Sequence, residues 1–197
     1  MHEVISAYTE RLARALTLPA MQKIPYLADA LLVAWTEGHC VYLCGNGGSA
    51  GNAIHLANDL LYGAGKKLGK GLRVEALSAN PAVLTCLAND VGYDAIFSAQ
   101  LRVKANPGDV LLVLSGSGNS PNVVDALRTG NELGMNTFAI LAYSGGACKV
   151  LAKQALHFEI DDMQIAEDLQ LVVGHICMQW LASREPERTA ITGKNAK

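Results

Sequence analysis

The chain has 197 residues, 50% of them hydrophobic and 17% charged, with 16 Lys and Arg against 18 Asp and Glu for a formal charge of -2. That length suits one domain with a full core, and the near-neutral balance excludes the polybasic footprint of a nucleic-acid or anionic-membrane binder. So low a charge content points to a surface partly covered by other subunits.

The five cysteines are an odd number with no C-x-x-C spacing, and Cys44, Cys86 and Cys177 sit inside apolar runs. This fits buried structural thiols in a reduced, cytoplasmic protein better than a disulfide framework. His2 and Glu3 are not followed by an apolar core with a cleavage site, so no signal peptide is expected. No apolar run is long enough to span a bilayer.

In chain order, residues 3–17 and 22–37 read as amphipathic helices broken at Pro19 and stopped by Gly38. Short apolar runs then alternate with helical stretches. Strands are predicted at 40–44, 74–77, 110–115, 137–142 and 157–160. Helices are predicted at 49–61, 80–88, 95–104, 121–133, 146–154 and 164–183. This alternation argues for an α/β fold, a parallel sheet with helices on both faces. The runs at 110–115 and 137–142 are nearly all apolar, as strands buried on both faces should be. The expected organisation is N-terminal helices over 1–38, a ligand-binding domain over 39–183 and a loose tail over 184–197.

Two turns stand where ligands bind in such sheets, beyond the carboxyl ends of strands. The first runs Cys44-Gly45-Asn46-Gly47-Gly48-Ser49-Ala50-Gly51 between a predicted strand and a predicted helix. Glycines allow close backbone approach, and the free N–H groups of the helix start favour an anion. An ordinary strand-to-helix connection carries the same residue types. The second runs Ser115-Gly116-Ser117-Gly118-Asn119-Ser120-Pro121. Pro121 fits the first helical position with Ser120 as its cap, and the three hydroxyls can donate to an anion. Without a Lys or a G-x-x-x-x-G-K-[ST] pattern, a triphosphate loop is disfavoured and a phosphate monoester fits better.

A further set of polar residues lies on the helices. His55 and Asp59, four apart, share one helix face, and Glu167 and His175 share a side of the last helix about 12 Å apart along its axis. The four residues suit a divalent ion such as zinc if the side chains lean together; they also suit separate sites, or an acid–base pair.

At these residues the chain resembles SIS (sugar isomerase) domain proteins of the phosphoheptose isomerase type. The matching pieces are CGNGGSAGNAIHLA at 44–57, ALSANPAVLTCLANDVGYDAIFSAQL at 76–101, GDVLLVLSGSGNSPNVVDAL at 108–127, GMNTFAILAYSGG at 134–146 and GHI at 174–176. The resemblance implies a flavodoxin-like three-layer αβα sandwich with a five-stranded parallel sheet. It also implies a homotetramer, with the N-terminal helices in a central bundle and active sites between subunits. The implied reaction converts sedoheptulose 7-phosphate to a heptose 7-phosphate, toward the heptose of bacterial lipopolysaccharide or related glycans. The implied substrate contacts are Asn46, Gly47, Ser49, Asp90, Ser115, Gly116, Ser117, Ser120 and Glu167. Asp59 and His175 become the proton-transfer pair, and zinc would be held by His55, Asp59, Glu167 and His175.

Two of those four depart from the family pattern, in which Asp59 is a Glu and Glu167 a Gln. An Arg expected shortly after Asp59 is missing; the chain reads Asp59-Leu60-Leu61-Tyr62-Gly63, with Lys66 and Lys67 beyond. Alternatives implied by the same superfamily are an isomerase for another sugar phosphate and a non-catalytic tetramer that binds the bacterial replication initiator.

Overall fold

The apolar runs become five parallel strands: β1 (Cys40–Cys44), β2 (Arg73–Ala76), β3 (Val110–Ser115), β4 (Asn136–Leu141) and β5 (Gln154–His157). The computed structural model describes residues 1–66 and 69–184. The helices are α1 (His2–Ala15), α2 (Ile24–Glu37), α3 (Gly48–Asn58), α4 (Pro81–Asp90), α5 (Ser98–Lys104), α6 (Pro121–Glu132), α7 (Gly146–Leu151) and α8 (Met163–Ser183). Short 3-10 turns at Pro19–Lys23 and Tyr93–Ala95 precede α2 and α5. Lys67 and the expected tail beyond Arg184 lie outside the described residues.

The strand order is β2-β1-β3-β4-β5, the doubly wound flavodoxin-like arrangement. β3 is buried along its whole length. Its alternate residues face opposite layers, as the two-residue period of a strand requires. Val110, Leu112 and Leu114 pack with Leu27, Leu31, Leu56, Val173 and Leu181 of α2, α3 and α8. Leu111 and Val113 pack with Leu101, Val123, Leu127 and Cys148 of α5, α6 and α7. α2 therefore belongs to one helical layer of the main core. α1 lies over α8, where the Tyr8 phenol donates to Asp168 at 2.5 Å and Arg11 donates to Asp162 at 2.8 Å.

Most boundaries fall within two residues of the sequence expectation, and four differ by more, among them α5, which starts at Ser98 instead of 95. β5 is Gln154–His157 instead of 157–160, and α7 stops at Leu151. β5 is an edge strand whose polar ends hide its short buried pair, Ala155 and Leu156. The helix expected to reach residue 61 changes at Asp59 into a π-turn, Asp59–Gly63, closed by the Ala64 N–H donating to the Asp59 carbonyl at 3.0 Å.

Candidate active site

β1 and β3 are neighbours, yet the chain leaves β1 into the layer of α3 and β3 into the layer of α6. The crevice where the winding reverses is where such sheets bind ligands. Here it holds a cavity of about 280 Å³. Asn46, Gly47, Gly48 and Ser49 form one wall; Leu114, Ser115, Gly116, Ser117 and Ser120 form the second; Met163 and Glu167 of α8 close it. Gly47 has φ 55 and ψ -124, a conformation closed to residues with a Cβ, and delivers the chain into α3.

The serine hydroxyls have a common polarity. Ser115 Oγ accepts from the Gly118 N–H at 3.1 Å and Ser117 Oγ from the Asn119 N–H at 3.3 Å. Each hydroxyl proton remains available for a ligand. Ser120 occupies the N-cap of α6 but makes no side-chain capping bond, leaving its hydroxyl to the cavity. Among the described residues no basic side chain lines this cavity. An anion would be met by neutral donors and the starts of α3 and α6 on one side and would face the Glu167 carboxylate on the α8 side.

Asn46 is tied down. Its amide exchanges a reciprocal pair of hydrogen bonds with Asn122, at 2.9 and 2.8 Å, and its oxygen also accepts from the Tyr93 hydroxyl at 3.1 Å. Neither Asn122 nor Tyr93 was singled out in the sequence; the Asn-Gly-Gly and Ser-Pro-Asn turns give no local sign that their amides meet. Asp90 does not line the cavity. At the end of α4 it accepts from Asn89 Nδ2 at 2.7 Å and Cys86 Sγ at 3.5 Å.

Farther along α3 and α8, His55 Nε2 and His175 Nε2 lie 3.0 Å apart, and each lies 3.3 Å from Asp59 Oδ2. The close approach of the two helices makes this possible. A Cβ on Gly174 would run into both terminal carbons of Leu56, with Cδ1 at 2.7 Å. Leu56 and Gly174 are the chain neighbours of His55 and His175. The fit to a metal follows from the donors. A tetrahedral zinc ion with ligands at about 2.0–2.1 Å places neighbouring donors roughly 3.3 Å apart. The three donor atoms converge at those separations, with the neutral-imidazole and carboxylate chemistry that divalent ions take. Glu167 is not in this group; its carboxylate abuts Gly48 in the serine cavity.

Residues 5–142 match the model of the SIS domain family. The probable phosphoheptose isomerase of Thermoplasma acidophilum is 36% identical over 169 residues, covering 86% of this chain and 92% of that protein. The phosphoheptose isomerase of Chlorobaculum parvum is 36% identical over 180 residues, 89% of this chain and 85% of that one. The chain belongs to the SIS-domain phosphoheptose isomerase family. The solved phosphoheptose isomerases of Neisseria gonorrhoeae and Francisella tularensis superpose with TM-scores of 0.81 and 0.84 at 28% and 26% identity. Each match covers 92% of this chain, and 98% and 97% of those chains.

Against the pattern expected of a phosphoheptose isomerase, the shorter Asp59 still reaches both imidazoles. Position 63, where the missing Arg would fall, is a glycine whose open side faces Met178 Sδ at 3.6 Å from a built Cβ. The Lys66 ammonium lies 5.9 Å from the centre of the Tyr62 ring.

Proposed function

We propose that this chain is an aldose–ketose isomerase acting on sedoheptulose 7-phosphate, binding the phosphate at the serine cavity and moving protons with Asp59 and His175. One observation carries the reading: the turns that open α3 and α6 form a hydroxyl- and amide-lined cavity closed by α8, and α3 and α8 bear a convergent His–Asp–His group farther along.

Asp59 takes the proton from the hydroxyl-bearing carbon beside the ketose carbonyl, while the carbonyl oxygen is protonated. The resulting enediol receives a proton back at the former carbonyl carbon and loses one from the neighbouring hydroxyl, giving the aldose with no atom gained or lost. His175 exchanges the protons at the two oxygens. His55, Asp59 and His175 would hold a divalent ion, zinc by donor type, which when bound supplies electrophilic stabilisation of negative charge on the sugar oxygens. Binding of the remote phosphate positions the reacting carbons.

The site is completed by a second copy in a homotetramer. Glu167 and His175 are eight residues apart, about 12 Å along α8, so Glu167 approaches a three-donor group only from a neighbouring subunit. Large apolar residues beside that group are exposed: Ile54 by 44%, Leu61 by 56%, Tyr62 by 62% and Ile176 by 40%. Large exposed apolar side chains on the helices that carry the group favour an interface there. The five free thiols fit a reducing cytoplasm.

The test is an isomerase assay on sedoheptulose 7-phosphate with metal content measured on the same sample. Heptose 7-phosphate should form, and Asp59→Ala or His175→Ala should lower turnover by about 10²–10⁴-fold. An assembled, metal-replete protein that leaves the sugar unchanged would sink the reading.

A further inference from the structure

Behind the serine cavity lies a chain of two amides, one half-buried and one buried, whose direction is fixed at one end. Asn52 of α3 uses its Nδ2 twice, donating to the main-chain carbonyl of Glu167 at 3.0 Å and to Gln170 Oε1 at 2.9 Å. Gln170 Nε2 then donates to Ser49 Oγ at 2.9 Å. Gln170 is 1% exposed and Ser49 4% exposed, and Ser49 lines the cavity.

A side-chain amide can be turned over without changing its shape, so its orientation must come from its partners. Here the partners decide it. A main-chain carbonyl has no proton to give, so Asn52 must present its nitrogen to α8. That leaves Gln170 to present oxygen to Asn52 and nitrogen to Ser49. Ser49 Oγ is thereby occupied as an acceptor, and among the described residues its own proton has no acceptor.

We propose that Gln170 is a positioning residue for the anion site, the middle of a directional relay from the Glu167 carbonyl through Asn52 that holds the Ser49 hydroxyl as a donor into the cavity. The relay gives Ser49 the same polarity that main-chain N–H groups impose on Ser115 and Ser117. The ligand it favours is a phosphate monoester oxygen, a group that only accepts. This rests on reading the serine cavity as the phosphate site.

The experiment measures binding of inorganic phosphate by calorimetry at fixed ionic strength, with kcat and KM on the sugar phosphate, for Gln170→Glu, Gln170→Met and Ser49→Ala, alone and in pairs. Gln170→Glu turns the relay round, because a carboxylate accepts the Ser49 proton; phosphate Kd and KM should rise at least tenfold while kcat moves less than threefold. Gln170→Met removes the donor without reversing it and should weaken phosphate by a few-fold. In the Ser49→Ala background both changes at position 170 should lose most of their effect. An equal loss from Gln170→Glu with and without Ser49 would assign the effect to charge alone and overturn the relay. If Gln170→Glu does not fold, unchanged affinity in Gln170→Met overturns it instead. A parent protein that binds no phosphate, or binding indifferent to Ser115→Ala and Ser117→Ala, would remove the phosphate site itself.

Discussion

A single methyl group at position 174 separates two outcomes for the His–Asp–His group. Alanine there gains roughly 1 kcal/mol of helix propensity over glycine. It also collides with the buried Leu56 side chain, which is 1% exposed and must shift within a packed core. Overpacking of this kind costs about 1–3 kcal/mol, so the balance falls against the variant. Gly174→Ala should lower the thermal midpoint and, by pushing His175 away from His55, cut turnover by about 10²-fold. A variant with parental turnover would show that the close helix approach is not needed. The residues of the two clusters were legible because their types announce chemistry: Ser115, Ser117 and Ser120 in one turn, Asn46 and Ser49 in the other, His55, Asp59 and His175 on helices. Asn52, Asn122, Gln170 and Gly174 were not. Each acts through a partner 76 to 121 positions away along the chain, or through a packing clearance, and neither leaves a local pattern.

The strong elements, β1, β3, β4 and α8, fall where apolar periodicity puts them, because burial on both faces or along a long stripe writes an unambiguous pattern. The edge strand β5 and the π-turn after α3 do not, since one is half exposed and the other depends on where Asp59 must point. π-bulges inside helices are frequent at functional sites, and this one begins at an expected catalytic carboxylate. α1 offers a separate test. It is held to α8 by Tyr8–Asp168 and Arg11–Asp162, and Asp162 also caps α8 by accepting from the Ile165 N–H at 3.2 Å. That N–H, followed by Arg11, holds the Asp162 carboxyl below its usual value of 3.8. Its contribution is present above that pH and is lost as pH falls through the lowered value. The hydrogen bond to Asp168, then burial, pushes the Tyr8 phenol up from 10.0 to about 12. Its contribution is present below pH 10 and is lost as pH rises toward 12. In thermal-midpoint profiles, Asp162→Ala should cost about 1 kcal/mol at neutral pH and flatten the acid limb. Tyr8→Phe should flatten the alkaline limb. Unaltered limbs in both would detach these contacts from stability.

For the whole molecule, the proposed division of one active site between two copies has a signature that no single-chain site produces. Chains carrying Ser115→Ala with Ser117→Ala, and chains carrying Asp59→Ala, should each be nearly inactive alone. Mixed assemblies should recover activity, because some interfaces pair an intact serine cavity with an intact His–Asp–His group. No recovery in verified mixed assemblies would place the complete site within one chain. The sheet order has a further consequence, for synthesis. β1 lies beside β3, with Val41 opposite Val110, and α8 supplies Glu167, Gln170 and His175 to both clusters. A growing chain emerging N-terminal end first can thus lay down all five strands, with both serine-cavity turns among them, before it owns the His–Asp–His group. Competence for the chemistry arrives late and all at once, when the last helix docks and brings His175 to His55 and Asp59, so a nascent chain cannot turn a phosphosugar over while its sheet is still being threaded.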